Sequence, residues 1–265
     1  MKKVETSFDN EIAYIREGHG VPLILIHGLD SNMASFYSLK DELKTIFEVI
    51  IYDVRGHGKS TKHESFDIND HVKDLYSLME KLNIEAAHLV GHDMGGLIAK
   101  HFTNQFDTKV LSLTLVATNL FDSVGGLNKL MIDHQDEIEG FDKSEALIIL
   151  FPYIYQEQLK ARKWLQDQRI YSRQTSEDSA IATRALMNFP LLSQNEVIET
   201  VNVPTLMIYG KHDPLVDLDN LNQESIAGDE LTVYTFEHSG HAPHIEETEN
   251  FIQKYLEFTN QGVVE

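Results

Sequence analysis

The stretch Leu89-Val90-Gly91-His92-Asp93-Met94-Gly95-Gly96-Leu97 decides the fold. An apolar strand leads into a glycine-bracketed turn, and a helical pattern begins directly behind it. The frame Gly91-x-Asp93-x-Gly95 is typical of a nucleophile elbow, a sharp strand-to-helix turn that presents one side chain from a strained backbone. The residues two positions to either side must be small, because a Cβ there would meet the turn. The stretch therefore predicts such an elbow, with aspartate where the usual motif has serine.

Composition limits the classes of function. The chain has 265 residues, with 42% hydrophobic and 24% charged residues, which suits one large α/β domain or a domain with an insertion. Lys and Arg total 22 against 42 Asp and Glu, so the formal charge is 22 − 42 = −20. This charge repels phosphate backbones and anionic membranes. We expect a small-molecule substrate, with neither nucleic acid nor membrane as a partner, and the sequence leaves the oligomeric state undetermined.

Cysteine is absent, which excludes disulfides, Cys-based zinc sites and a thiol nucleophile. The lysines at the N-terminus are not followed by the apolar core of a signal peptide. No apolar run approaches the ~20 residues of a membrane span. We therefore expect a cytoplasmic protein.

Strands and helices alternate along the chain, a pattern that predicts parallel βαβ units with right-handed crossovers. The predicted strands are 4–8, 11–16, 23–26, 49–52, 86–90, 110–116, 204–209 and 231–236, and the predicted core helices are about 33–46, 68–82, 94–105 and 245–258. The fold class is thus α/β, a mostly parallel sheet of the eight-stranded type flanked by helices.

The alternation stops after Thr118. Residues 119–200 contain helical patterns, such as 155–171 and 177–188, and no convincing buried strand. We predict a helical cap over 119–200, inserted after the sixth strand. The remaining core then comprises residues 1–118 and 201–265.

Three side chains follow the carboxyl ends of predicted strands, where the active crevice of a parallel sheet lies. They are Asp93, Asp213 and His241. Their chain order, nucleophile then acid then histidine, is that of the α/β-hydrolase triad. The backbone N–H groups of Leu29 and Met94 would form the oxyanion hole.

These segments together resemble the α/β-hydrolase fold superfamily over nearly the whole chain. The matching motifs are His27-Gly28, Asp53-x-Arg55-Gly56-x-Gly58-x-Ser60, the elbow, Gly210-x-x-Asp213-Pro214 and Gly240-His241. The resemblance implies that the cap covers the site and shapes the substrate pocket. Its candidate substrate contacts are Tyr153, Tyr155, Trp164 and Tyr171.

Other histidines have simpler interpretations. His27 and His57 are expected to hold the loops around the oxyanion hole, and His92 to pack beside the elbow. His238, His241 and His244 are spaced like metal ligands, but one catalytic histidine with two neighbours explains them better. We expect no metal and no cofactor.

Aspartate at the elbow changes the chemistry. It is ionised near neutral pH, so it can attack a saturated carbon and form an alkyl-enzyme ester. His241, held by Asp213, would then activate a water that attacks the ester, with the oxyanion hole stabilising the intermediate. Aspartate is poorly suited to open a carboxylic ester, because it would have to form a mixed anhydride.

An aspartate nucleophile resembles those of epoxide hydrolases and dehalogenases, but the surroundings depart from both. Met94 stands where haloalkane dehalogenases have Trp, and Met94 and Leu97 stand where fluoroacetate-type enzymes have Arg. Asp30 stands where epoxide hydrolases usually have Pro, and Met94 with the glycines behind it resembles serine esterases. Three hypotheses remain: an Asp-nucleophile enzyme that cleaves an epoxide or a carbon–halogen bond, an esterase relative whose serine is replaced by Asp93, and a ligand-binding protein without turnover.

Overall fold

An eight-stranded sheet organises the protein. The computed structural model describes residues 1–6, 10–120, 124–188, 202–216 and 231–261. The strands are β1 (Lys2–Glu5), β2 (Glu11–Gly18), β3 (Pro22–Ile26), β4 (Glu48–Tyr52), β5 (Ala87–His92), β6 (Val110–Val116), β7 (Thr205–Gly210) and β8 (Leu231–Phe236). Their order is β1-β2-β4-β3-β5-β6-β7-β8. Among these described strands, β2 runs antiparallel to both of its neighbours, β1 and β4, and every other neighbouring pair is parallel. The predicted fold class is confirmed.

Helices flank the sheet and fill the segment between β6 and β7. They are α1 (Tyr37–Leu43), α2 (Ile68–Lys81), α3 (Met94–Gln105), α4 (Gly125–Asp133), α5 (Gln135–Ile138), α6 (Lys143–Ile154), α7 (Gln158–Tyr171), α8 (Ser176–Met187), α9 (Pro243–Glu246) and α10 (Thr248–Gln261). No helix within the described ranges combines the length and apolarity that a bilayer span requires.

Two predicted helices differ from those observed. The helix expected over 33–46 starts as a 3-10 turn at Met33–Phe36 and ends at Leu43. The helix expected over 245–258 is divided into α9 and α10, because Glu247 has a non-helical backbone with φ −122° and ψ 53°. Its carboxylate accepts hydrogen bonds from the preceding loop, which favours this break.

The core lies on both faces of the sheet. Along β3, Leu23 and Leu25 pack with residues of α10, whereas Ile24 and Ile26 pack with α2 and α3. All four side chains are fully buried. A parallel sheet covered on both faces explains the uninterrupted apolar runs in the sequence, and it leaves the carboxyl edge of the strands free to carry a site.

Described residues 124–188 between β6 and β7 are helical or irregular, with no strand among them. Leu150 of α6 and Trp164 of α7 pack in one cluster with Ala242 and Ile245, which follow the predicted catalytic histidine. These helices therefore contact the edge of the sheet where the site is expected. The cap boundaries at 119 and 200 remain a prediction, since residues 121–123 and 189–200 lie outside the described residues.

Candidate active site

Asp93 occupies the turn between β5 and α3. Its backbone has φ 53° and ψ −120°, a region that L-residues rarely adopt. A Cβ on Gly91 would overlap the carbonyl of Gly95, and one on Gly95 would overlap the carbonyl of Ile26. The backbone thus has the strained, glycine-bracketed geometry of an elbow.

The Asp93 carboxylate is held by the loop that follows β3, where the oxyanion hole is predicted. The Leu29 N–H donates to Asp93 Oδ2 at 3.0 Å. A Cβ on Gly28 would stand 2.8 Å from the same oxygen, so this close approach requires glycine. Within the described ranges no hydrogen bond joins the Met94 N–H, at the start of α3, to Asp93. Of the two predicted oxyanion donors, Leu29 is the one that contacts the carboxylate.

His27 fixes the peptide group that carries this donor. Its Nδ1 donates to the Gly28 carbonyl at 2.8 Å, and its Nε2 accepts from the Val54 N–H at 3.1 Å. Burial, together with the charge that His57 would carry, holds the pKa of His27 well below its ordinary value. A neutral imidazole with one donor and one acceptor therefore orients the Leu29 N–H.

The backbone at Asp30 explains why this loop lacks the proline that epoxide hydrolases usually have at this position. Its φ of 57° is incompatible with a proline ring, which fixes φ near −65°. Its N–H donates to His57 Nε2 at 3.3 Å, a bond that proline cannot make. His57 Nδ1 in turn donates to the Arg55 carbonyl at 3.0 Å. The second histidine thereby stabilises the same loop.

His241 and Asp213 form a buried pair. His241 Nδ1 donates to Asp213 Oδ2 at 2.9 Å, and Asp213 Oδ1 accepts from the Leu215 N–H at 2.8 Å. Burial lowers the pKa of His241, but the charge and hydrogen bond of Asp213 and the charge of Asp93 outweigh it and raise this pKa to about 9. His241 Nε2 has no hydrogen-bond partner among the described residues, which leaves it available to a water molecule.

His92 supports His241 from the elbow. Its Nε2 donates to the His241 carbonyl at 2.8 Å. Burial and the charge of His241 lower the pKa of His92 to about 4, so it remains neutral. The ring of His244 lies 4.7 Å from that of His92, and burial also holds its pKa well below the ordinary value. Both histidines pack around the site as neutral rings.

Tyr155 is the candidate tyrosine whose pKa responds to Asp213 and Asp93, two members of the predicted triad. It follows α6 with an extended backbone (φ −125°, ψ 132°) and is buried. Burial and the negative charges of Glu246, Asp213 and Asp93 raise the pKa of its hydroxyl. That hydroxyl makes no hydrogen bond within the described part of the chain. The hydroxyl is therefore protonated at neutral pH.

The hydroxyls of the other two candidate tyrosines are engaged elsewhere. Tyr153 donates to Glu137 at 3.0 Å and is 39% exposed. Tyr171 donates to Asp53 Oδ2 at 2.7 Å. Neither hydroxyl bonds to a triad residue in the ranges that the structure describes. Of the three predicted tyrosines, Tyr155 is thus the one whose hydroxyl stays unbonded within the described residues and whose pKa responds to Asp213 and Asp93.

Trp164 contributes an apolar ring beside the site. Its Nε1 donates to the Ser35 carbonyl at 2.8 Å. Its ring stands edge-on to His92, with centroids 5.9 Å apart, and 6.1 Å from the ring of Tyr155. Because its N–H is already used, Trp164 can supply packing but no hydrogen bond to a substrate.

The sequence did not single out Glu246, a buried carboxylate five residues after His241. It is 1% exposed and accepts hydrogen bonds from four backbone N–H groups. The available signal was an acidic residue that directly follows segment 239–245, which contains no Asp, Glu, Lys or Arg. Its partners lie as far as 90 residues away in the chain, so no local pattern identifies them.

Known proteins share this architecture. Residues 21–248 match the family model described as alpha/beta hydrolase fold. A pimeloyl-[acyl-carrier protein] methyl ester esterase of Aliivibrio fischeri (strain MJ11) is 26% identical over 254 residues, covering 92% of this chain and 96% of that protein. Two solved structures show the same fold at 20% identity.

The first is a thermophilic esterase from Thermogutta terrifontis, with a TM-score of 0.82 and 100% of each chain covered. The second is a Bacillus megaterium epoxide hydrolase in complex with an inhibitor, with a TM-score of 0.73 and coverage of 98% and 100%. The family that the sequence resembles is thereby confirmed, as is the expectation of a hydrolase. The chain belongs to the alpha/beta hydrolase fold family.

Proposed function

We propose that the protein hydrolyses a small, largely uncharged organic substrate through an alkyl-enzyme ester on Asp93, and that it opens an epoxide. The observation that carries the proposal is the hydrogen bond from the Leu29 N–H to Asp93 Oδ2. In the ester this oxygen is the carbonyl oxygen, on which negative charge develops when water attacks. The donor is thus placed to stabilise hydrolysis of an ester on the enzyme itself.

Ester formation uses the other carboxylate oxygen. Asp93 Oδ1 accepts no hydrogen bond from the described residues, and it attacks one ring carbon of the epoxide while the carbon–oxygen bond breaks. The released alkoxide takes the proton of the Tyr155 hydroxyl. An alkoxide is more basic than a phenolate, so this transfer is favourable even though the pKa of Tyr155 is raised.

His241 becomes a base once the ester forms. In the resting enzyme the Asp93 charge contributes to the raised pKa of His241, so the imidazole is protonated at neutral pH. Esterification removes that charge, and the imidazolium returns a proton to the Tyr155 phenolate. Neutral His241 then takes a proton from water through Nε2, and the hydroxide attacks Cγ of Asp93. The tetrahedral intermediate expels the diol oxygen as an alkoxide, which takes the proton of the newly formed Asp93 carboxylic acid. Release of the diol thus leaves the Asp93 carboxylate, the imidazolium and the protonated tyrosine.

An epoxide fits the site better than a carbon–halogen bond. A departing halide needs N–H donors, yet Met94 beside the nucleophile has an apolar side chain and the Trp164 N–H is bonded to Ser35. A departing alkoxide needs a proton donor, and Tyr155 meets that need. The leaving-group chemistry therefore favours ring opening.

A second candidate is an esterase relative in which Asp93 replaces serine. The 26% identical relative named a methyl ester esterase supports it, as does the esterase-like Met94-Gly95-Gly96. Under this hypothesis the native protein has weak or no esterase activity, and Asp93→Ser gains it. A purely ligand-binding role would not require the buried His241–Asp213 pair, so we rank it below both enzymes.

The test is a panel of epoxides, haloalkanes and p-nitrophenyl esters, run on the native protein, Asp93→Ser and His241→Gln. His241→Gln should accumulate the ester, because its base is missing. Intact mass then identifies the chemistry: an epoxide adduct adds the whole substrate, whereas a haloalkane adduct lacks the elements of hydrogen halide.

Turnover in water labelled with heavy oxygen provides the complementary result. Attack on Cγ leaves the label in Asp93 of the native enzyme. An active enzyme whose Asp93 peptide stays unlabelled would exclude the covalent mechanism, and a gain of ester hydrolysis only in Asp93→Ser would favour the second candidate.

A further inference from the structure

The carboxylate of Glu246, at the end of α9, accepts hydrogen bonds from the loop that carries His241, the proposed base. Its Oε1 accepts from the N–H of Gly240 at 3.1 Å and from the N–H of Ala242 at 3.0 Å. These residues lie directly before and after His241. The carboxylate therefore holds the backbone on both sides of the base.

The same carboxylate also accepts hydrogen bonds from the predicted cap. Its Oε2 accepts from the N–H of Gln156 at 2.7 Å and from the N–H of Glu157 at 3.1 Å, at the junction of α6 and α7. This junction follows Tyr155 immediately. A further bond, from the His241 N–H to the Ile154 carbonyl at 2.9 Å, joins the two segments directly. The buried side chain of Glu246 thus connects the backbone beside Tyr155, the proposed acid, to the backbone beside His241, the proposed base.

A carboxylate suits this position for chemical reasons. It only accepts hydrogen bonds, and its two oxygens can serve four donors. Bonds from N–H groups to a charged oxygen are roughly twice as strong as those between neutral groups. A glutamine of the same length would turn an NH₂ group against one pair of N–H donors, so the cap or the histidine loop would lose its attachment.

We propose that Glu246 is a positioning residue that fixes His241 and Tyr155 relative to each other. The proposal rests on the proposed function for the roles of base and acid. The Glu246 charge adds an electrostatic contribution, because it raises the pKa of both side chains. Removal of the carboxylate should therefore disturb both the geometry of the pair and the titration of His241.

Three variants separate these effects. Glu246→Gln keeps the length and removes the charge, whereas Glu246→Asp keeps the charge and cannot reach both pairs of N–H groups. Glu247→Gln is the matched control, because Glu247 accepts from the N–H of His238 and the hydroxyl of Ser239 but not from the cap junction. It alters the same loop without touching the connection to Tyr155.

Two measurements are made on each variant. Misplacement by about 1 Å can cost 10²-fold in rate, so we expect kcat with the best epoxide to fall about 10²-fold in both Glu246 variants, with little change in KM. The second measurement needs no substrate: the titration of His241 by NMR, assigned by comparison with His241→Gln. Its midpoint should fall in Glu246→Gln and stay near the native value in the other two variants.

Each outcome decides the proposal. Native kcat or an unchanged His241 midpoint in Glu246→Gln would overturn it, and so would an equal loss in Glu247→Gln, which would indicate general weakening of the loop. Failure of both Glu246 variants to fold would assign the carboxylate to stability instead. If no panel substrate is turned over, the proposed function fails, whereas the NMR midpoints still decide the role of Glu246.

Discussion

Gly28→Ala tests whether the contact between Leu29 and Asp93 matters for catalysis. The new Cβ would lie 2.8 Å from Asp93 Oδ2, 3.0 Å from its Cβ and 3.3 Å from its Cγ. Carbon–oxygen contacts shorter than 3.0 Å are not tolerated, so the carboxylate must move by several tenths of an ångström. The backbone at Gly28 is outside the left-handed region, so alanine adds no conformational strain there. The expected effect is therefore confined to the position of Asp93.

The magnitude follows from the role of the donor. Loss of one oxyanion-hole donor costs about 10²–10³ in kcat, or about 2.7–4 kcal/mol of transition-state stabilisation. We expect a loss in that range with the best epoxide, while thermal unfolding stays close to native. Steady-state kinetics measure the loss, and intact mass spectrometry shows whether ester still forms.

Gly140→Ala is the control for a glycine substitution as such. A Cβ at Gly140 meets no atom within 4 Å, although its φ of 84° makes alanine somewhat strained. This variant should lose a little stability and keep native kcat. If Gly28→Ala also retains kcat within about threefold, well short of the loss expected for a missing donor, the Leu29 contact is incidental and the covalent mechanism loses its main structural support.

Three further predictions concern Tyr155 and His241. Tyr155→Phe should lower kcat with epoxides by about 10²–10⁴, the usual contribution of a general acid, whereas the exposed Tyr153→Phe should leave it unchanged in the same assay. His241 of the free enzyme should titrate near pH 9. The fall of kcat at low pH should have a lower midpoint, because the Asp93 charge that helps to raise the pKa of His241 is absent from the ester. Equal midpoints for the two titrations would contradict this effect of Asp93 on His241. The His241–Asp213 pair should contribute its full free energy of unfolding below pH 6.5, the ordinary pKa of histidine, and lose that contribution as pH rises through about 9. Chemical denaturation of the native protein should therefore show a pH dependence that His241→Gln lacks.

The sheet was predictable because burial on both faces requires continuous apolar runs. β6 at Val110–Val116 and β8 at Leu231–Phe236 match the predicted bounds to the residue. β5 continues two residues beyond its predicted end at Val90, since Gly91 and His92 pair with β6. Neither residue has strand character by itself, so pairing with the neighbour determines that boundary.

The triad candidates could be predicted because each follows a strand, and parallel strands bring their carboxyl ends to one edge. The positions of the cap side chains could not be predicted in the same way. Tyr153 and Tyr155 are two residues apart, but α6 ends between them at Ile154. The first stays on the helix and bonds to Glu137 on the surface, while the second is buried and the charges of Asp213 and Asp93 raise the pKa of its hydroxyl. The point where a helix ends depends on bonds such as that from the Gln156 N–H to Glu246, which join distant segments.

The fold alone does not distinguish an esterase from an epoxide hydrolase, since solved structures of both share it. The distinction depends on which group accepts the hydrogen bond of the Leu29 N–H. In this protein the Leu29 N–H is bonded to Asp93, so a substrate ester carbonyl cannot use it without displacing a charged oxygen. Aspartate thus hinders acyl chemistry twice, as a poor acyl nucleophile and as a competitor for the donor.

Asp93→Ser should remove both obstacles, because serine is shorter and leaves the Leu29 N–H unoccupied. Asp93→Asn is the matched comparison, since its amide oxygen can retain the bond while its nucleophilic charge is lost. We expect p-nitrophenyl ester hydrolysis above background in Asp93→Ser only. Native protein that hydrolyses these esters faster than Asp93→Ser would show that the carboxylate does not block the donor, and the case for attack at an alkyl carbon would then have to rest on the labelling of Asp93 alone.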